Sequence, residues 1–194
     1  DAGQFRTPRH IIDFIVEIVN PRKNETILDP ACGTAGFLIS SYKHILSQNT
    51  DKKLGDRLNA SDRKQVGDNL VGYDISPDMT RISLVNMYLH QFASPLIHEY
   101  DTLSSEDRWN EYYDVILANP PFGGGEKTQV QDNFSIRSSE TAYLFLQHFI
   151  KKLKNGGRCG VIIKNTFLTN DDAIKLRQQL LTECNLHTIL DLPR

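Results

Sequence analysis

The sequence is poor in cysteine and carries no excess of either charge. Its three cysteines, Cys32, Cys159 and Cys184, are odd in number and far apart. That argues against a disulfide framework and against a zinc site. A reducing, cytoplasmic setting fits this usage. Lys and Arg number 22 against 24 Asp and Glu, a formal net charge of −2. No global basic field therefore marks the chain for nucleic acid, although a local patch stays open. No apolar run reaches the ~20 residues that a membrane helix needs, and no signal peptide opens the chain.

What is present is a folded-domain composition. The chain has 194 residues, 39% hydrophobic and 24% charged, which suits one domain with a sizeable core. It begins Asp-Ala-Gly without methionine and ends in a strand-like Ile189-Leu190-Asp191-Leu192, so both ends read as cuts in a longer protein.

Strand and helix patterns alternate along it. Ile11, Ile12, Ile15, Ile18 and Val19 recur at helical spacing over residues 8–19, with Thr7 and Pro8 as N-cap and first-turn proline. Strands are expected at 26–29, 70–74, 97–100, 114–118, 157–163 and 188–191. Helices are expected at 37–46, 77–92, 142–153 and 173–184. Residues 47–69 are polar and aperiodic and read as a surface insertion. This order predicts an α/β fold, a mostly parallel sheet with helices on both faces. Ligands in such folds bind beyond the carboxyl ends of the strands.

Four strand ends then carry the interest. Asp29-Pro-Ala-Cys-Gly-Thr-Ala-Gly-Phe37 places small residues between a strand and a helix, where backbone can approach a ligand closely. It does not fit the dinucleotide fingerprint GxGxxG, and an ordinary tight turn would look the same. Asp74, in Gly-Tyr-Asp-Ile-Ser-Pro, ends the second strand; such a carboxylate can accept from both hydroxyls of a ribose or cap the next helix, a task Ser76 does equally well. Asp101 could meet an adenine amine or simply be a solvated loop carboxylate. Finally Asn119-Pro120-Pro121-Phe122 stops an apolar run in a stiff turn, because two prolines lock two φ angles. The Asn119 side-chain oxygen and the Pro120 carbonyl could both accept from one amino group, and Phe122 could stack on the ring that bears it. A proline-rich turn with a packed phenylalanine explains the prolines but not the amide.

Together these stretches resemble the amino-methyltransferases that use S-adenosylmethionine. Asn119 to Phe122 looks like their catalytic motif and Asp29 to Phe37 like their methionine-binding loop. GQFRTPRHIIDFIVEIV, DPACGTAGFLI, GYDISPDMTRISLVNMYLH and ANPPFGG, in that order, narrow the resemblance to the modification (M) subunit of type I restriction-modification systems. It covers nearly the whole chain except 47–69. It implies a Rossmann-like S-adenosylmethionine-dependent methyltransferase fold, here ending before the family's last antiparallel strand.

The resemblance also implies roles. Gln4, Phe5, Arg6, Thr7, Pro8 and Arg9 would close over the cofactor's methionine end, with Thr7 capping its helix and contacting the carboxylate. Family members commonly carry an aromatic where Arg6 stands. Asp29, Pro30, Gly33, Thr34, Ala35 and Gly36 would form the methionine loop. Asp74 would hold the ribose, and Asp101 and Thr102 would lie near the cofactor's adenine. Asn119, Pro120, Pro121 and Phe122 would hold a target adenine, flipped from duplex DNA at a cost of about a few kcal/mol. No metal is implied. The implied partners are DNA, a specificity (S) subunit, a second M subunit and the restriction (R) subunit. A carbon-5 cytosine methyltransferase would need a cysteine nucleophile; none of the three cysteines follows a proline, and Cys32 lies in the cofactor loop. Two other readings stand beside this one. NPPF is shared with methyltransferases of protein glutamine and of RNA, and a truncated chain could serve as a non-catalytic assembly module.

Overall fold

The computed structural model describes residues 6–192. Helix α1 (Arg9–Val19) leads into strand β1 (Ile27–Asp29), helices α2 (Gly36–Gln48) and α3 (Ala60–Asp68), and strand β2 (Leu70–Asp74). Helix α4 (Pro77–Leu89), strands β3 (Leu96–Glu99) and β4 (Tyr113–Ala118), the one-turn α5 (Thr128–Gln131) and α6 (Thr141–Lys152) follow. Strand β5 (Leu153–Val161) and α7 (Ile174–Glu183) complete the series. The five strands form one sheet in the order β3-β2-β1-β4-β5, and every pairing is parallel.

Parallel strands covered on both faces alternate two apolar sets, and β4 shows it. Val115 and Leu117 join one core with Ile12, Val16, Leu38, Ile39 and Leu70 from α1, α2 and β2. Ile116 and Ala118 join the other with Leu144, Phe145 and Phe149 of α6 and Leu176 of α7. Helices thus sandwich the sheet, as the period-two pattern requires. Helix α1 lies so close to β5 that a Cβ at Gly160 would meet Ile15 Cγ2 at 2.5 Å. Arg158 of β5 ties the end of α1 down through the Val19 and Asn20 carbonyls and an ion pair with Glu25.

Three segments differ from the expectation. Strand β5 begins at Leu153, directly after α6, instead of at 157. Gly156 with φ 77° and a register shift between Tyr113 and Val115 accommodate the early start as a bulge. Residues 188–191 form no strand; Ile189 and Leu190 are 60% and 51% exposed. A strand exists only where a neighbour takes its backbone hydrogen bonds, and this segment pairs with none among the described residues. Finally, Thr7 does not cap α1. Pro8 holds the N-cap position and no side chain caps the helix.

Helix α4 is inverted. Its buried residues are Thr80, Ser83 and Met87, whereas Ile82, Val85, Tyr88 and Leu89 are exposed. The polar residues turned inward serve the loop described next. In the 47–69 segment, α3 carries a capping box from Asn59 and Asp62 and buries Val66, and Leu58 ahead of it is buried too.

Candidate active site

The switch in chain direction lies between β1 and β4, which are adjacent although their connections leave to opposite faces of the sheet. Of the residues singled out in the sequence, Asp29 to Gly36, Asp74 and Asn119 to Phe122 lie at the carboxyl ends of β1, β2 and β4, and Asp101 and Thr102 follow β3.

After β1 the chain turns through Gly33 at φ 53° and Ala35 at φ 61°. The left-handed region is free for glycine but strained for alanine, at ~1–2 kcal/mol. The surroundings hold the strain in place. Cys32 N–H donates to the Tyr73 carbonyl (2.8 Å) and Ala35 N–H to the Cys32 carbonyl (2.7 Å). Ser83 Oγ donates to the Gly33 carbonyl, Asn86 Nδ2 to the Thr34 carbonyl (2.7 Å), and buried Thr102 Oγ1 to the Pro30 carbonyl (2.8 Å). Arg9 reaches the Gly36 carbonyl at 3.4 Å. Ser83 and Asn86 were not among the expected site residues. Their sequence signal was two polar residues three apart on α4 among apolar ones, legible only once that helix is known to be inverted.

Asp74 crosses to the same loop. Its Oδ2 accepts Gly33 N–H (3.0 Å) and its Oδ1 accepts Ser76 N–H (2.9 Å). Ser76, not Asp74, caps α4, through Met79 N–H. Asp29 is 1% exposed and takes one donor, Ala31 N–H at 3.2 Å. Burial pushes its pKa up to about 8, opposed by the Ala31 hydrogen bond and reinforced by the nearby Asp74 charge. Cys32 is buried and its thiol is likewise pushed far up by burial, so it is no nucleophile. Asp101 turns to its own loop, where Oδ1 accepts Leu103 and Ser104 N–H.

The end of β4 is built differently. Ile162 N–H holds the Ala118 carbonyl at 3.0 Å, and Pro120 and Pro121 fix the next two φ angles. Asn119 Nδ2 donates to Thr7 Oγ1 (2.9 Å). Asn119 Oδ1 is buried and, among the described residues, accepts from nothing. Among the described residues no group donates to the Pro120 carbonyl. Phe122 is half-buried, with Lys164 Nζ 5.9 Å from its ring centre. Gly123 N–H donates to Glu140 Oε1, which also pairs with Lys164 at 3.5 Å. Lys164 and Glu140 went unnoticed in the sequence, because nothing local places them beside the motif. Arg6 is exposed, and Gln4 and Phe5 lie outside the described residues.

A doubly wound parallel sheet with these loops at its carboxyl edge defines a Rossmann-like methyltransferase domain. The chain belongs to the N-6 DNA methylase family, whose profile matches residues 1–194. It is 35% identical over 198 residues to the type I restriction enzyme EcoEI methylase subunit of Escherichia coli, covering 100% of this chain and 39% of that protein. Against the StySPI methylase subunit of Salmonella potsdam it is 34% identical, covering 99% of this chain and 37% of the relative. The crystal structure of the EcoKI M protein superposes with a TM-score of 0.79 at 30% identity, over 93% of this chain and 38% of the other. The chain thus spans under two fifths of the length of these relatives.

Proposed function

We propose that residues 1–194 are the catalytic domain of a longer DNA methyltransferase that moves a methyl group from S-adenosylmethionine to adenine N6 within a type I restriction-modification system. Its partners would be DNA, a specificity subunit, a second modification subunit and the restriction subunit. The setting would be cytoplasmic, which three free cysteines support; no described helix is long and apolar enough to cross a membrane. The observation that carries the reading is the unpaired Asn119 Oδ1 at the end of β4. Buried acceptors are ordinarily satisfied, and this one sits in a motif able to take an exocyclic amine. The relatives, named as methylase subunits of restriction enzymes, favour DNA over protein or RNA.

The loop residues fit the cofactor. Each Asp74 oxygen has one backbone donor and keeps a lone pair for a ribose hydroxyl. A Cβ at Gly33 would meet nothing within 4 Å, so the loop opens onto free space there. No side chain caps the N-terminus of α2, which leaves its N–H groups available to an anion. In this reading Thr34, Ala35 and Gly36 line the methionine moiety, and Asp101 and Thr102 lie beside the cofactor's adenine. S-adenosylmethionine, when bound, supplies a methyl group on a sulfonium, already a good leaving group. Asn119 Oδ1 and the Pro120 carbonyl accept the two N6 hydrogens, turn the nitrogen lone pair toward the methyl and stabilise the positive charge that develops on N6. Phe122 stacks on the flipped base, an interaction worth ~1–3 kcal/mol.

The test is methyl transfer by the full-length protein with its specificity partner, using labelled cofactor and duplex DNA. Label recovered as N6-methyladenine supports the proposal. Label in RNA or protein alone, or none in any acceptor, would overturn it.

A further inference from the structure

The Asn119 amide has two ends with opposite needs. For the acceptor role proposed above its oxygen must face the incoming amine, and its NH2 must be satisfied elsewhere. We infer that Thr7 is a positioning residue that anchors the Asn119 amide; the inference rests on the proposed methyltransferase function. Thr7 Oγ1 accepts Asn119 Nδ2 at 2.9 Å across 112 residues of sequence. The oxygen is left buried and, among the described residues, unpaired. With the amide reversed, two N–H donors would take the unpaired position, and buried unpaired N–H groups are rarer than under-satisfied carbonyls. The reversed amide would also present donors to an amine that itself donates. A hydroxyl both accepts and donates, so Thr7 anchors the amide in place, and the surroundings of Oδ1, donor-free among the described residues, select which end faces the base before it arrives.

Both ends of this contact rest on rigid supports. Thr7 precedes α1, whose Ile12 and Val16 are buried in the core. The Asn119 backbone is held by the β4–β5 ladder, with Ala118 opposite Val161, and by the locked φ of Pro120. A hydroxyl freed from helix capping is thus aimed at one amide, a use that sequence patterning assigned to the helix instead.

The experiment is single-turnover methylation by the full-length protein with its specificity partner, comparing Thr7→Val and Thr7→Ser. Valine keeps the shape and loses the hydroxyl; serine keeps the hydroxyl. Thr7→Val should slow transfer roughly 10-fold, the scale of one hydrogen bond lost with a buried donor left unpaired, while Thr7→Ser stays near wild type. The slowing of Thr7→Val should persist at saturating cofactor, with only the small fall in melting temperature that one unpaired amide donor brings, and Thr7→Ser should keep the wild-type melting temperature. In an Asn119→Ala background, Thr7→Val should have no further effect, a non-additivity that a purely structural role does not produce. Equal slowing in both backgrounds, a slow serine variant, or a loss confined to cofactor affinity would overturn the inference with the methyltransferase reading intact. A wild-type protein that transfers no methyl to DNA would remove that reading itself, and the inference with it.

Discussion

Two loops at one edge of the sheet are built on opposite plans. Around β1 and β2 the polar groups are paired within the protein. Asp74 takes two backbone donors, and Ser83, Asn86 and Thr102 each hold a loop carbonyl. At the end of β4 the backbone is stiffened by prolines, and its two best acceptors are left without donors among the described residues. The first plan spends side chains on the shape of a loop that includes a strained Ala35. The second holds acceptors ready for a ligand. Substitutions in the first loop should therefore disturb stability and cofactor binding together, whereas those in the second should disturb transfer alone.

The comparison breaks most visibly at Asn119. Asn119→Ala should reduce single-turnover transfer by about 10²–10³-fold, the scale seen when one preorganised group is removed from a developing charge, with the melting temperature near wild type. An equally large fall in stability would show that the acceptor is structural.

Asp29 sharpens the other side. Unfolded, it ionises near 3.8; folded, it keeps its proton up to about 8. Between those values the folded state holds one more proton than the unfolded state. Stability should then fall as pH rises, by at most about 1.4 kcal/mol per pH unit, and level off above pH 8. Asp29→Asn should remove this slope while keeping an acceptor for Ala31 N–H. Denaturant midpoints from pH 5 to pH 8 read it directly.

Asp74→Ala should weaken S-adenosylmethionine binding by about 10–100-fold, as for hydrogen bonds to a charged group worth ~1.5–3 kcal/mol. It should also lower the melting temperature, because Gly33 and Ser76 lose their acceptor. Smallest of all, Asn86→Ala should cost about 1 kcal/mol of stability and a few-fold in cofactor affinity, measured by denaturant titration and calorimetry.

These contrasts were only partly visible in the sequence. Strand ends at Asp29, Asp74 and Ala118 were legible because short apolar runs stop at turn residues, and the alternation with helices implied the parallel sheet. The motif at Asn119 was legible because two prolines beside an amide have few other uses. Contacts across long separations were not. Thr7 before Pro8 has the local signature of a helix cap, yet its hydroxyl is taken by Asn119. Ser83 and Asn86 could not be picked out on α4, because nothing in a helical period says which face is covered. The apolar Ile189 and Leu190 resemble a strand, but strand formation depends on a partner that local sequence does not reveal.

The most direct test of the two plans is to measure S-adenosylmethionine affinity and methyl transfer side by side in full-length Asn119→Ala and Asp74→Ala, each with its specificity partner. Asn119→Ala should keep near wild-type affinity and lose transfer, and Asp74→Ala should lose affinity, with transfer recovering as cofactor concentration rises. Loss of cofactor affinity in Asn119→Ala, or full affinity in Asp74→Ala, would contradict this contrast.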